Sequence, residues 1–379
     1  MKSNFTPLEG IIGGLLIGLS AVILLLGNGD ILGASGIASF FIRHPFQSTS
    51  DPDRHWIVIF LSSFIITSIT YVRLIDSTIT TSYITTTNHA PMVSSLGYAI
   101  AGVLVGLGSK LANGCTSGHG ICGMARFSRR SFIAVGTFMA TGILTGSFTS
   151  SRTPYIRTKS TVTVNETCLI LGIALVIIDQ ISLCMSIPVL SKPIKKFLRS
   201  DSDRQIKHNH KPENREYLRK ISAAILAGVL FSVGLAISGM VLNTKVISFL
   251  NFSGMVDGSW DGTLAFVMGA GLFVSVIGYQ FVPYHSLRKH KRLLQRPLLL
   301  REKASFSSVP TSKMIDIPLV LGSGIFGVGW AIAGVCPGPA IFLFASGVPQ
   351  ILAYWWPSYL AGILVADLLE AYVFARESC

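Results

Sequence analysis

The chain has 379 residues, of which 50% are hydrophobic and only 13% are charged. Ordinary soluble domains carry about 25% charged residues, so this composition excludes a soluble globule and a disordered chain. The formal charge of +13 would suit a nucleic-acid partner, but 18 of the 31 Lys and Arg residues fall in the segments 191–220 and 283–316. The remaining sequence consists of long apolar runs, which predicts an all-α polytopic membrane protein with no nucleic-acid partner.

Nine apolar stretches are long enough to cross the hydrocarbon core, which takes about 20 helical residues. They predict about nine transmembrane helices, over residues 10–26, 56–72, 93–109, 131–148, 167–190, 221–240, 263–282, 317–335 and 351–371. Loops after odd-numbered spans hold 25 of the 31 Lys and Arg residues. Because positive residues stay in the cytoplasm, we expect a multi-pass protein of the plasma or inner membrane with its N-terminus outside and its C-terminus cytoplasmic.

Four further apolar pieces follow Gly-rich breaks and are too short to span a bilayer; they cover residues 31–42, 116–125, 243–252 and 337–347. Irregular backbone at membrane depth is tolerated only where protein buries it or where it lines a watery cavity. We therefore predict that these pieces are four short re-entrant half-helices beside a pathway.

The two halves of the chain share a pattern at fixed spacing. Four residues recur 221 positions later, namely Gly106, Gly108, Ala112 and Cys115 as Gly327, Gly329, Ala333 and Cys336. A second match, at an offset of 210, aligns the segment ending at Gly29 with the segment ending at Gly239. Since one span lies between the halves, the second half is reversed, which predicts an inverted-topology internal repeat.

This repeat suggests a division of the chain into three parts. Residues 1–190 are expected to hold the first repeat half with the connecting span, and residues 221–379 the second, inverted half. Residues 191–220 form a basic cytoplasmic linker, which we expect to contact anionic membrane lipid.

Cys115 and Cys336 each follow a long apolar span and open a short apolar piece. Thr116, Ser117 and Pro337 are residue types that begin helices, so each thiol is predicted at the N-terminus of a half-helix. Unpaired backbone N–H groups and the positive end of the helix dipole gather there and suit an anion. A thiol adds a polarizable, weak hydrogen-bond donor. An anion with a soft sulfur end, such as thiosulfate, would match both properties.

The segment 113–123, Asn-Gly-Cys-Thr-Ser-Gly-His-Gly-Ile-Cys-Gly, resembles the signature of the YeeE/YedE sulfur transport family. Gly-Val-Cys-Pro-Gly-Pro-Ala at 334–340 is similar to its second signature, and Ser238-Gly239-Met240 with Lys245-Val246 is similar to a third. The resemblance implies a permease, not an enzyme, that imports thiosulfate along a central pathway of thiols without a cofactor or metal. The family's thiol near the first break is absent here, where the sequence reads Gly27-Asn28-Gly29-Asp30. A cytoplasmic protein that accepts the sulfur is a further expected partner.

The residues predicted to line the substrate pathway surround these motifs. They are Cys115, Cys336, Cys122, His119, Thr116, Ser117, Gly118, Gly338, Lys110 and Lys245. His119 is interpreted as a polar lining residue. Lys110 and Lys245 are interpreted either as cations that draw an anion into each mouth or as lysines that extend to the lipid head groups.

Two other functions remain open from the sequence. A membrane sulfurtransferase or thiol oxidoreductase would use Cys115 or Cys122 as its nucleophile. A soft-metal permease would bind its ion through Cys115, His119 and Cys122.

Several other residues receive simpler interpretations. Three cysteines are expected to be packing or incidental residues: Cys168, Cys184 and Cys379. Asp179 lies inside a predicted span, which is a position typical of proton coupling. Tyr354, Trp355, Trp356 and Tyr359 are interpreted as an aromatic belt at the membrane interface.

Overall fold

The computed structural model describes residues 5–44, 54–84, 93–149, 211–280 and 315–377. All secondary structure within these ranges is helical. Eight long helices form the frame: α1 (Pro7–Asn28), α3 (His55–Leu74), α5 (Ser95–Leu111), α7 (Arg129–Thr149), α8 (Lys211–Ile237), α11 (Thr263–Gln280), α12 (Ile317–Ala333) and α15 (Trp356–Glu377).

Seven shorter helices lie between the long ones in the described ranges. They are α2 (Ala34–Arg43), α4 (Thr78–Ile84), α6 (Thr116–Gly123), α9 (Asn243–Leu250), α10 (Gly254–Asp257), α13 (Pro337–Ala345) and α14 (Ile351–Trp355). Helices α2, α6, α9 and α13 coincide with the four short apolar pieces of the sequence, so the helical state of those pieces is confirmed.

Seven helical segments in the described ranges are long and apolar enough to cross a membrane, and α5 with α6, bent by 43°, make an eighth. The protein is therefore an integral, multi-pass membrane protein. Eight of the nine predicted spans overlap a long helix. The predicted span 167–190 lies outside the described residues, as do Asp179, Cys168, Cys184, Cys379 and most of the linker, so the count of nine remains a prediction.

Each of the four breaks contains a residue in the left-handed backbone region. These residues are Gly29 (φ 80°), Asn113 (φ 54°), Gly239 (φ 71°) and Gly334 (φ 68°). Glycine and asparagine adopt this conformation at low cost. A Cβ on Gly334 would also lie 2.5 Å from the carbonyl oxygen of Asn243, so only glycine fits there. Gly239 follows Gly29 by 210 positions and Gly334 follows Asn113 by 221, so the backbone repeats both offsets of the sequence.

The long helices of the two halves have equivalent packing neighbours. Helix α1 packs against α8 and α11, and α8 packs against α1 and α3. Likewise α5 packs against α12 and α15, while α12 packs against α5 and α7. Exchanging α1 with α8, α3 with α11, α5 with α12 and α7 with α15 gives the same set of neighbours.

Glycines on α5 draw the start of α15 into the protein. A Cβ on Gly106 would lie 2.1 Å from the carbonyl oxygen of Tyr359, and one on Gly102 would lie 2.4 Å from that of Trp355. Small residues of this kind let membrane helices approach closely. Trp355 and Tyr359 are consequently fully buried, with stacked rings 4.9 Å apart. Their assignment to an interfacial belt was wrong, because this face of the helix packs on α5.

The contact at Gly106 predicts a large cost for an added methyl group. Gly106→Ala places its Cβ against the backbone of α15, and overpacking of this kind costs about 1–3 kcal/mol. Gly136→Ala on α7 is the matched control, because a Cβ there would meet nothing within 4 Å. Thermal unfolding in detergent should show a lower midpoint for Gly106→Ala alone. Equal midpoints for the two variants would contradict the packing described here.

Candidate functional site

Cys115 and Cys336 are the residues directly before α6 and α13. Both have extended backbone and buried thiols. The structure therefore places each thiol at the start of a short helix, where backbone N–H groups have no partner within the helix.

The starts of three short helices meet at one place. The hydroxyl of Thr116 on α6 donates to the Sγ of Cys336 at 3.7 Å. The Oγ of Ser117 lies 3.3 Å from the Sγ of Cys115 and accepts a hydrogen bond from the backbone N–H of Ala34 on α2 at 3.1 Å. Helix α6 thus connects the two thiols to the first break of the chain.

A small cavity, the central cavity, lies at this meeting point and has a volume of about 30 Å³. Four predicted pathway residues line it: Thr116, Ser117, Cys336 and Gly338. A cavity of this size has room for a water molecule or two. The rest of the wall is apolar and includes Met240 and Met268, whose side chains are flexible.

A larger cavity of about 430 Å³, the basic cavity, lies on the other side of the start of α6. Three predicted pathway residues line it: Lys110, Gly118 and His119. Five basic side chains contribute to its wall, namely Arg43, Arg54, Lys110, Arg126 and Arg130, against one acidic side chain, Asp30. A cavity lined in this way attracts anions.

Carboxylates form ion pairs with three of these cations. Lys110 Nζ lies 3.0 Å from Glu370 and 3.4 Å from Asp367, and an Arg43 nitrogen lies 2.9 Å from the same Asp367. Arg130 pairs with Asp316 at 3.0 Å. The pairs lower the net positive charge but fix where the cations point.

Cys115 lines neither of these two cavities and is only 1% exposed. Gly114, the residue before it, lines the basic cavity, and Thr116, the residue after it, lines the central cavity. The thiol of Cys115 therefore lies in the wall that separates the two cavities.

Cys122 and His119 bond to backbone carbonyls that the helix breaks expose. The Sγ of Cys122 donates to the carbonyl of Leu32 at 3.3 Å, and this thiol lines neither cavity. The Nε2 of His119 lies 3.1 Å from the carbonyl oxygen of Ala112, and its Nδ1 lies 3.2 Å from the hydroxyl of Ser131. Because a carbonyl only accepts, Nε2 carries the proton, and the Nδ1 of a neutral ring accepts from Ser131.

These contacts bear on the two alternative functions. Both nitrogens of His119 are occupied, which leaves Cys115 and Cys122 without this histidine as a general base. Across the ranges that the structure describes, no group of three His, Cys, Asp or Glu side chains could hold a metal ion. The soft-metal hypothesis, which required Cys115, His119 and Cys122 to converge, therefore has no site in this part of the chain.

Lys245 lies beside a break, as predicted, but inside the protein rather than at an open mouth. Its Nζ donates to the Thr6 hydroxyl at 2.7 Å and lies 3.6 Å from the Oδ2 of Asp261. Thr6 precedes α1, Ile17 in the middle of α1 lines the central cavity, and Asp30 beyond its end lines the basic cavity. The Lys245 pair and the basic cavity therefore lie at opposite ends of α1, with the central cavity between them.

Sequence reasoning missed Asp261 and the four arginines of the basic cavity. The arginines were counted only as determinants of orientation, although Arg126 and Arg130 follow directly on the 113–123 motif. This position next to the motif could have indicated that Arg126 and Arg130 lie near the site. Nothing local marked Asp261, because only the fold brings it to Lys245.

Comparisons with known proteins match both halves of the chain. A family model described as sulphur transport matches residues 62–145, and a model of a family of unknown function (DUF6691) matches residues 219–378. Two relatives from Xylella fastidiosa, of strains Temecula1 and 9a5c, are named probable transporters and are each 36% identical over 148 residues. The match covers 39% of this chain and 88% or 90% of the relative, so each relative is about half as long as this chain.

A third relative, also a probable transporter from strain 9a5c of the same organism, is 37% identical over 140 residues. This match covers 36% of the chain and 91% of the relative. The matched relatives are thus all shorter than this chain and align with part of it.

The bond between Ser117 and Ala34 yields a prediction about stability. Ser117→Ala leaves the buried N–H of Ala34 without its partner, which costs about 1–3 kcal/mol. Ser323→Ala is the matched control, because the buried hydroxyl of Ser323 has no hydrogen-bond partner among the described residues. Unfolding in detergent should be easier for Ser117→Ala and unchanged or harder for Ser323→Ala. The assigned contact fails if both variants behave alike.

Proposed function

Because the chain belongs to the YeeE/YedE-like sulfur transport family, we propose that this membrane transporter imports thiosulfate or a closely related sulfur anion. The sulphur transport model and the relatives named probable transporters support a transporter rather than an enzyme. The choice of substrate rests on the chemistry of the site.

The observation that carries the proposal is the meeting of two thiol-bearing helix starts at the central cavity. The Thr116 hydroxyl donates to Cys336 Sγ, so the Cys336 S–H proton is not needed for this contact and can point to a guest. Gly338 lets a guest approach the backbone of α13 without a side chain in the way. Oxyanion oxygens suit the N–H groups of a helix start, and a soft terminal sulfur suits the thiols.

The proposed path follows the length of α1. An anion enters near Lys245, occupies the central cavity beside Cys336, passes Cys115 in the dividing wall and leaves through the basic cavity. The central cavity, at about 30 Å³, is too small for thiosulfate, so passage requires neighbouring side chains such as Met240 and Met268 to move. Weak thiol donors favour this step, since an ion held only by weak bonds is easily released.

The positions of the cations support the inward direction. Arg43, Arg54, Lys110, Arg126 and Arg130 all belong to segments that the charge distribution assigns to the cytoplasm. The basic cavity would then open to the cytoplasm, with the N-terminus outside, the C-terminus inside and the linker 191–220 on anionic lipid. An anion released there would be available to a cytoplasmic sulfur-accepting protein.

The proposed architecture is an inverted repeat of nine spans with four re-entrant half-helices. Three observations support it: the exchange symmetry of helix packing, the left-handed residues at both sequence offsets, and relatives of about half the length. Residues 1–190 and 221–379 would be the two halves, related by an axis in the membrane plane.

Replacement of either pathway thiol tests the proposal. We expect Cys336→Ala or Cys115→Ala to abolish uptake of labelled thiosulfate into reconstituted vesicles while the protein still folds. The reason is that alanine removes the polarizable thiol at that helix start, which suits the sulfur end of the ion. Normal flux in either variant would refute a thiol-lined path.

The Cys122→Ala variant tests whether Cys122 stabilises the helix break at Leu32 or takes part in the transport path. The Cys122 thiol donates a hydrogen bond to the Leu32 carbonyl and lines neither cavity. We expect this variant to keep thiosulfate uptake with a lowered unfolding midpoint. Complete loss of uptake in a folded Cys122→Ala protein would move Cys122 into the path.

A further inference from the structure

A buried ion pair stands at the end of α1 opposite to the basic cavity. Lys245 and Asp261 have side chains that are 8% and 3% exposed, with Nζ and Oδ2 3.6 Å apart. A buried pair of charges is costly unless its contacts compensate for the lost hydration.

The two oxygens of Asp261 have different surroundings. Oδ1 accepts a hydrogen bond from the backbone N–H of Thr263 at 2.9 Å, which fixes the carboxylate at the start of α11. Oδ2 has no hydrogen-bond partner among the described residues and lies 3.6 Å from the ammonium nitrogen of Lys245. Oδ2 is thus the oxygen that can take up a proton without breaking a bond.

The pair adjoins the central cavity on two sides. Leu264 and Val267, one and two turns along α11 from Asp261, line that cavity. The stem of Lys245 packs on Gly239, where a Cβ would lie 2.7 Å from its Cδ, and the next residue, Met240, also lines the cavity. On the proposed path, an anion that enters from this end passes the pair before it reaches Cys336.

We propose that Lys245 and Asp261 form a proton-assisted outer gate, an inference that rests on the proposed thiosulfate transport. When the dianion arrives, the Lys245 ammonium group separates from the Asp261 carboxylate and pairs with the anion instead. The carboxylate that Lys245 has released then lies beside a doubly negative ion, and a proton bound to it removes the repulsion between the like charges. A proton from the outer solution bonds to Oδ2, and it leaves again when the anion moves on and the ion pair re-forms.

Few other titratable groups lie near the pair in the ranges that the structure describes. The first turn of α1 carries Glu9, which is exposed, and α10 ends at Asp257, four residues before Asp261. Tyr83 bonds to the backbone of 241 and 243, and Tyr98 accepts from the Asn243 side chain, so both hydroxyls are engaged. Asp261 is the buried carboxylate in direct contact with Lys245.

The test measures thiosulfate uptake into right-side-out vesicles at fixed inner pH while the outer pH varies. For the wild type, the KM should fall by about tenfold for each unit that the outer pH is lowered, because one proton accompanies each bound anion. Asp261→Asn keeps the bond to Thr263 but cannot take up a proton, so its KM should not depend on outer pH. Glu9→Gln is the matched control and should retain the wild-type slope.

A second measurement needs no variant. Adding thiosulfate to purified wild-type protein in weak buffer should raise the pH of the solution. The size of the rise should correspond to the uptake of up to one proton per protein. No proton uptake, or a KM of the wild type that ignores outer pH, overturns the gate. The same conclusion follows if Asp261→Asn keeps the wild-type slope. If wild-type vesicles take up no thiosulfate at all, the proposed function fails as well, which distinguishes the two failures.

Discussion

Two of the helix breaks are held by side chains from elsewhere in the fold, which bond to the backbone groups that these breaks expose. The first break is held by Cys122 on the Leu32 carbonyl and by Ser117 on the Ala34 N–H. In the third, the Tyr83 hydroxyl donates to the Val241 carbonyl and accepts from the N–H of residue 243. Without such partners each buried polar group would cost several kcal/mol, and the chain would form continuous helices instead.

This arrangement leaves the starts of α6 and α13 available for a guest. The hydroxyl groups of Thr116 and Ser117 contact the two thiols, while the carbonyls of the breaks are satisfied elsewhere. Under the proposed function, the ion would bind to weak donors at the narrow central cavity, and the cations lie further along in the wide basic cavity. The cations that attract an anion and the weak donors that hold it loosely thus lie in different cavities. This separation favours passage of the ion over tight binding.

Much of this could be predicted from the sequence, because apolar length and Gly-rich breaks are local signals. The long and short helices and the positions of Cys115 and Cys336 at helix starts came from such patterns. What failed depended on contacts between distant segments. Trp355 and Tyr359 were predicted at the membrane interface, but the close approach of α5 buries them inside the protein. The hydrogen bond from the Cys122 thiol to the Leu32 carbonyl also joins distant segments, and the role of Cys122 in the pathway stays a prediction.

The basic cavity shows the same limit. Its arginines come from three separate stretches of chain, and only the packing of these stretches places their charges in the wall of one cavity. Asp261 and Lys245 are likewise 16 residues apart, with two short helices involved in bringing them together.

The most direct test is an experimental structure of the protein determined with thiosulfate present, using anomalous scattering to locate sulfur. The account predicts a bound ion between the starts of α6 and α13, with its terminal sulfur within hydrogen-bonding distance of the Cys336 or Cys115 thiol. Thiosulfate bound only at a surface away from both thiols, with the central cavity still closed around them, would contradict it.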